Sequence, residues 1–197
     1  MWATPLQLAT ATAIAANKGV VVKPRMLAAV DGEPFEPQDL NPVADVQIDN
    51  PDNWRYIEES MTMVVHRPYS QVFRDYGTAY EAIARADREM SYKMAGKSGS
   101  AQVVSIAQDI LQSEDIDVSD LNKDHALFVA YAPAQHPTIK PQIAVAVFVE
   151  NGQHGSSVAG PVAKAVIDAY LLDILQIDFT SLATDPDGLL SFDASRA

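Results

Sequence analysis

Residues 92–102 carry the run Tyr92-Lys93-Met94-Ala95-Gly96-Lys97-Ser98-Gly99-Ser100-Ala101-Gln102, from which the fold prediction starts. The run alternates as a β-strand does, so that Tyr92 and Met94 share one face while Lys93 and Ala95 share the other. The run therefore predicts a β-strand that has a lysine, two hydroxyls and two glycines at its end.

The second half of this run combines three chemical features. Its glycines let a ligand lie close to the backbone, because no Cβ stands in the way. Lys97 adds a positive charge, while the hydroxyls of Ser98 and Ser100 both donate and accept hydrogen bonds. The pattern suits an extended, anionic ligand. A strand that simply ends in a Gly-Ser turn explains an isolated Lys-Ser-Gly equally well.

The segments before this strand predict two helices. Thr4 with Gln7 forms a capping box, Pro5 occupies the first helical position, and Gly19 follows the predicted end at Asn17. Its many alanines predict close packing and a buried helix. A second helix is predicted from about Asp52 to Pro68, beyond a surface loop at 31–51. The positions predicted to face the core are Ile57, Met61, Val64 and Val65, and those predicted to face solvent are Arg55, Glu58 and Glu59.

Two apolar strands and a helix are predicted after it. The strands are Ala126–Ala132 and Gln142–Glu150, and the connection between them is too short for a helical crossover, which favours an antiparallel hairpin. The last helix is predicted from near Ser157 to about Leu175, with Val162, Val166, Ala169 and Tyr170 on one face. The order predicts an α+β fold, an antiparallel sheet flanked by helices. Residues 177–197 are predicted to form a loose tail.

Composition excludes several classes of function. The chain has 197 residues, 48% of them hydrophobic, and a net charge of −12. Such a charge argues against binding nucleic acid, whose phosphates require clustered Lys and Arg. There is no cysteine, and the four histidines lack the spacing of metal ligands, so no metal site is predicted. An acidic segment at 105–124 is predicted to be a solvated loop with a short helix around 106–111.

One alternative concerns nucleotides. Gly96-Lys97-Ser98 matches the end of a Walker A loop, but its first glycine would fall at position 91, where Ser91 stands. A phosphate-binding loop also needs glycine-rich backbone before the lysine, and Tyr92-Lys93-Met94 is bulky. Nucleotide binding is therefore the third of the functional hypotheses.

Several segments, in their order along the chain, resemble the class B penicillin-binding protein transpeptidases, most closely those of the elongation type known as penicillin-binding protein 2. The resemblance covers about residues 1–175. The segments that carry it are Met1–Ala9, His66-Arg67-Pro68, Gly77-Thr78-Ala79, the third-motif run Lys97-Ser98-Gly99 with its Ser100-Ala101-Gln102 continuation, Asp124–Pro133, Val145–Gly152 and the last helix.

The resemblance implies roles for residues of the strand. Lys97, Ser98 and Gly99 would form the third catalytic motif, in which Lys97 supplies positive potential and assists proton movement. Ser98 and Ser100, with Gln102, would bind the substrate, a D-Ala-D-Ala stem peptide or a β-lactam. The backbone N–H of Ser100 would be part of the oxyanion hole. The family often has Thr at the position of Ser100, so a modest change of fit is expected.

Two further motifs of that family are missing. A nucleophilic serine followed by lysine one helical turn later, Ser-x-x-Lys, occurs nowhere in the 197 residues, and neither does Ser-x-Asn. We therefore expect residues 1–176 to be the C-terminal part of a transpeptidase domain that is inactive alone. A non-catalytic scaffold or interaction fragment of the same fold is the second hypothesis.

The resemblance also implies properties of the full protein. It implies an N-terminal membrane anchor outside this sequence, a location on the periplasmic face of the bacterial inner membrane, and no metal or organic cofactor. It further implies a cell-elongation glycosyltransferase as partner. The isolated chain is expected to be poorly soluble, since the missing half of the domain would leave apolar surface uncovered.

Overall fold

A computed structural model describes residues 3–27, 29–35, 42–72, 74–88, 90–102 and 123–179. Its helices and strands follow each other in the order α1 (Pro5–Ala16), β1 (Ala29–Val30), β2 (Glu33–Pro34), α2 (Asp52–His66), β3 (Ala95–Ala101), β4 (His125–Ala132), β5 (Ile143–Val149) and α3 (Gly160–Asp168). α3 is the centre of a helical run that starts at Gly155 and ends at Ile174, with wider π-helical turns at both ends.

β3, β4 and β5 form an antiparallel sheet with β4 in the middle. In the β3–β4 pair Lys97 is opposite Val129 and Gly99 is opposite Leu127. In the β4–β5 pair Phe128 is opposite Val147. The α+β prediction is confirmed, as is the antiparallel pairing of the two apolar strands.

The core lies between one face of this sheet and the C-terminal helical run. Phe128 and Ala130 of β4 are fully buried there, together with Ala163, Ile167 and Leu171. Burial of a side chain the size of Phe128 or Ile167 contributes about 1.5–3 kcal/mol to the free energy of folding. This core fixes the position of β4 relative to the helical run, and β3 is held in turn by its pairing with β4.

The capping box that begins α1 is present as predicted. The Gln7 N–H donates to Thr4 Oγ1 at 3.2 Å, and the Thr4 N–H donates to Gln7 Oε1 at 2.8 Å. The prediction of a buried helix is wrong, because only Thr12 and Ala16 of α1 are buried. The alanines let one side of the helix approach β5 and β4, while the rest of its surface is partly or fully exposed.

The predicted faces of α2 and of the last helix need correction. In α2, Ile57 is 39% exposed, whereas Glu58 is half-buried and Thr62 and Val65 are buried. In the last helix, Val162 and Val166 are 47% and 46% exposed. The core face there is formed by Ala159, Gly160, Ala163, Ile167 and Leu171. In α2 the other predicted core positions, Met61, Val64 and Val65, do pack in the core, so the error there is limited to Ile57 and Glu58. In the last helix Tyr170 packs against the core as predicted, whereas Val162 and Val166 do not, because apolar residues occur on more than one side of that helix.

The predicted surface loop at 31–51 contains a short hairpin. β1 and β2 pair across Asp31-Gly32, and both turn residues have positive φ, 51° and 86°. Asp-Gly is the sequence typically found at a tight turn with this backbone. The hairpin was missed because its strands are only two residues long.

Two predictions fall largely outside the described residues. The acidic segment lies there except for residues 123 and 124, and the predicted tail lies there from residue 180 onward. The first tail residues are packed, since Phe179 is buried and its ring lies 5.5 Å from that of Tyr92. Packing therefore extends three residues beyond the predicted boundary at 176.

Two glycines of β3 should respond differently to a methyl group. A Cβ on Gly96 would lie 2.7 Å from the Phe128 ring, whereas a Cβ on Gly99 would meet only the Leu127 Cβ, at 3.6 Å. We expect Gly96→Ala to lower the free energy of unfolding by about 1–3 kcal/mol through overpacking. Gly99→Ala should change it by less than about 0.5 kcal/mol. Urea unfolding of both variants measures this; equal losses would contradict it.

Candidate functional site

The predicted site residues lie together on β3 and directly after it. Lys97, Ser98, Gly99 and Ser100 belong to the strand, and Gln102 follows its last residue. Ser98 is half-buried, and the other four are exposed. Because β3 is at the edge of its sheet, one side of its backbone has no strand partner among the described residues.

The register divides the motif between the two faces of the sheet. Lys97 and Gly99 lie on the face away from the C-terminal helical run, while Ser98 and Ser100 are opposite Phe128 and Ala126 on the other face. A ligand in contact with both sets must therefore lie along the free edge of β3. An extended peptide fits such an edge, since it can pair with the strand backbone.

Lys97 keeps its charge available at this edge. Its Nζ donates a hydrogen bond of 2.6 Å to the Ser98 carbonyl oxygen, a neutral acceptor. Lys97 makes no ion pair with any residue that the structure describes. An ammonium group has three donors, so two remain for an incoming anion.

The two hydroxyls differ in their hydrogen bonds. Ser100 Oγ donates to the carbonyl oxygen of Gln153 at 3.0 Å, whereas the Ser98 hydroxyl has no protein partner among the described residues. Ser98 is therefore free to donate to a ligand. Ser100 can accept through its lone pairs, but to donate it must first leave Gln153.

Gly99 lies where an added Cβ would have room among the described residues. A Cβ at this position would make an ordinary contact with Leu127 and nothing closer. The fold of the described residues therefore does not require glycine here. What the glycine leaves open is the exposed surface of the strand beside Lys97.

Sequence reasoning had not given His66 a role, although it holds the start of the strand. The Met94 N–H donates to His66 Nε2 at 3.0 Å, which joins the last residue of α2 to the residue before β3. Burial, and then the positive charge of Lys93, lower the pKa of His66. A neutral ring is needed, since Nε2 must accept. No spacing in the sequence signals this contact.

A second anchor joins the same segment to α3. The Tyr92 hydroxyl donates to Asp168 at 2.6 Å, and Lys164 bridges Asp168 and Asp87. Burial, followed by the bond to Asp168, raises the pKa of Tyr92, so that it remains a donor. The residues leading into β3 are thus fixed from two sides.

Comparison with protein families identifies the family of this chain. A family model described as the penicillin binding protein transpeptidase domain matches residues 1–168. The chain belongs to the penicillin-binding protein transpeptidase family. The family resemblance seen in the sequence is confirmed, including the likeness to penicillin-binding protein 2.

Individual members of the family show how much of a full-length relative this chain spans. Peptidoglycan D,D-transpeptidase MrdA of Acinetobacter baumannii is 42% identical over 172 residues, which is 86% of this chain and 22% of that protein. The same-named protein of Haemophilus influenzae is 38% identical over 175 residues, 86% of this chain and 24% of its own length. The chain thus spans less than a quarter of these two transpeptidases.

A solved structure agrees with the sequence comparison. Pseudomonas aeruginosa PBP2 in complex with WCK 5153 superposes with a TM-score of 0.63 at 38% identity, covering 99% of this chain and 33% of that one. The fold of the transpeptidase family is therefore present in this chain in part.

The phosphate-loop hypothesis is wrong for this motif. Gly96-Lys97-Ser98 lies inside a strand that continues to Ala101, whereas a Walker A loop leads into a helix N-terminus.

Among the described residues no cluster of three metal-ligating side chains occurs. In that same part of the chain no helix has the length and apolarity needed to cross a bilayer.

The His66 contact predicts a pH dependence of stability. The folded-state pKa lies below the ordinary value of 6.5, so the unfolded chain binds more protons in the window between the two. The contribution of the neutral His66 ring to the free energy of unfolding should be fully present above pH 6.5 and should be lost as the pH falls from 6.5 toward the folded-state pKa. His66→Gln keeps an uncharged acceptor for Met94 and should flatten the curve.

Thermal melts across this pH range measure the effect. His136, whose pKa is also lowered by burial, should account for the slope that remains in the variant. His154→Gln at an exposed turn is the matched control. An unchanged slope in His66→Gln would contradict the assignment.

Proposed function

We propose that this chain is the C-terminal part of the transpeptidase domain of a peptidoglycan D,D-transpeptidase and supplies one wall of its active site. The observation that carries the proposal is the open edge of β3, where Lys97 and Gly99 are exposed and Ser98 is half-buried, in a chain of this family. Residues 1–176 would form the domain part and 177–197 the tail.

The substrate would be a stem peptide ending in D-Ala-D-Ala, or a β-lactam in its place. Its carboxylate would accept from the unpartnered Ser98 hydroxyl and lie near the Lys97 ammonium. Hydrogen bonds in which one partner is charged are about twice as strong as neutral ones. The Ser100 hydroxyl would join after leaving Gln153, and Gln102 would contact the substrate further along the strand.

The remaining groups on β3 would act on the carbonyl that is attacked. The backbone N–H of Ser100 would donate to the oxyanion of the tetrahedral intermediate, and loss of one such donor typically costs about 10²–10³-fold in rate. The bare surface at Gly99 would let the peptide pair with the strand edge. The charge of Lys97 would favour the proton transfers nearby.

The nucleophile would come from residues outside this sequence. A serine activated by a lysine one helical turn later would attack the carbonyl and form the acyl-enzyme, and neither Ser-x-x-Lys nor Ser-x-Asn occurs in the 197 residues. In the full protein we propose an N-terminal anchor, a periplasmic location on the inner membrane, and a cell-elongation glycosyltransferase as partner, with no metal or organic cofactor.

A non-catalytic scaffold of the same fold is the second candidate. The observation that favours it is the absence of the nucleophile motif from the sequence, since a folded wall without a nucleophile could still bind a partner. Acylation by a β-lactam separates the two candidates, because only the enzyme forms a covalent bond with it.

A test of Lys97 requires a protein that contains both this chain and the Ser-x-x-Lys helix. Lys97→Ala should reduce the rate of labelling by a fluorescent penicillin by about 100-fold, the usual effect of losing a preorganised charge in an active site. Lys93→Ala is the control, since Lys93 is an exposed lysine two residues before β3 and its Nζ bonds only to Gln135 among the described residues. Equal rates for the Lys97 variant and wild type would remove Lys97 from the site.

A further test uses the 197-residue chain by itself. Incubated with fluorescent penicillin and analysed by denaturing electrophoresis, it should carry no label, because it has no activated serine. Mixing it with the complementary half of the domain should restore labelling of that half. Covalent label on this chain would show that the nucleophile lies within it.

A further inference from the structure

The turn formed by residues 151–155, here called the motif turn, is hydrogen-bonded to both strands at the site. Ser100 Oγ donates to the Gln153 carbonyl oxygen at 3.0 Å. The Gln153 N–H donates to the Asp124 carbonyl oxygen at 2.7 Å, just before β4. The Asn151 N–H donates to His125 Nδ1 at 2.9 Å. The motif turn therefore joins the end of β3 to the start of β4.

Gly155, the last residue of the motif turn, lies directly on the backbone of this strand pair. It is buried, and a Cβ there would lie 2.2 Å from the Leu127 carbonyl oxygen, 2.5 Å from that of Gly99 and 3.0 Å from the Gly99 nitrogen. These neighbours are backbone atoms, which cannot rotate away as a side chain can. A side chain at 155 must push the motif turn away from the backbone of β4 and of β3.

The backbone of the motif turn adopts a constrained conformation. Asn151 and Gln153 have φ of 55° and 61°, in the left-handed region that residues with a side chain seldom occupy. For Gln153 this conformation costs of order 1 kcal/mol or more and persists only where surrounding contacts impose it. The hydrogen bonds of the motif turn impose it here, with the Gln153 carbonyl oxygen on the Ser100 hydroxyl.

We propose that the motif turn is a positioning element for the third motif and that Gly155 is its positioning residue. The inference rests on the proposed function. Contact with Gly155 sets the position of the Gly99 backbone, and the Ser100–Gln153 bond holds the next residue. Together they place the Ser100 N–H where an oxyanion would form. Gly155 itself would touch no substrate.

The geometric demand explains the expected size of the effect. An oxyanion donor works at about 2.7–3.1 Å from the oxygen that it stabilises. Relief of the Gly155 contacts by a methyl group requires the motif turn and β3 to separate by about 1 Å, a displacement that can cost about 100-fold in a positioned active site. Non-covalent binding of the ligand carboxylate depends mainly on Lys97 and Ser98 and should change less.

The test uses the full protein that contains this chain. Gly155→Ala is compared with wild type and with Gly160→Ala, a control in the same helical run whose added Cβ would meet the Ile83 side chain at 3.2 Å. One measurement is the rate of acylation by a fluorescent penicillin, divided into affinity and first-order rate constant. The other is amide hydrogen exchange over residues 95–102.

Gly155→Ala should lower the first-order acylation constant by at least about tenfold with a smaller change in affinity, and exchange over 95–102 should rise. Gly160→Ala should change neither. Unchanged exchange in Gly155→Ala overturns the inference whatever the labelling shows. Normal acylation in that variant also overturns it. If wild type is not acylated, the proposed function fails, while exchange still reports whether the contact positions β3.

A second pair of variants covers the case in which Gly155→Ala does not fold. Ser100→Ala removes the bond to Gln153 without adding atoms, and Ser100→Thr keeps the hydroxyl. Exchange over residues 151–155 should rise in Ser100→Ala and return to the wild-type rate in Ser100→Thr. Equal exchange in both variants overturns the coupling between the motif turn and the strand.

Discussion

The ladder between β3 and β4 is the constraint on which the rest of the structure depends. β4 is held against the C-terminal helical run by its buried residue Phe128. Among the described residues β4 is the one strand partner of β3, and the position of β3 is completed by contacts outside the sheet. His66 and Tyr92 hold the residues before it, and the motif turn holds its end. This edge strand is thereby held at both ends, in addition to its ladder with β4.

The residues that hold β3 in place are different from the residues that it exposes to solvent. The buried groups that fix β3 lie on the core side or beyond its ends, while Lys97 and Gly99 face outward with little around them. A binding edge must stay unpaired to accept a ligand, and unpaired edges are prone to associate with other chains. Anchors at both ends allow the edge to stay open without relying on a second strand.

The sequence predicted the elements better than it predicted their faces. Thr4, Pro5 and Gln7 act locally, so the start of α1 was correct, and the apolar runs of β4 and β5 were long enough to be unambiguous. Val162 and Val166 were assigned to the core because they are apolar, yet Ala163 lies there, since a small residue lets the helix approach the sheet. The site strand followed from its composition. The His66 and Gly155 contacts did not, because they join residues distant in sequence.

Variation at the two glycines of β3 has two separate consequences. Gly96 lies under the Phe128 ring, so variation there is limited by whether the chain can fold at all. Gly99 borders open space among the described residues, so variation there is compatible with a folded, abundant protein. The exposed surface of β3 can therefore change at position 99 in one step, without a compensating change in the core. Three residues apart, core packing and the shape of the strand edge are open to independent evolution.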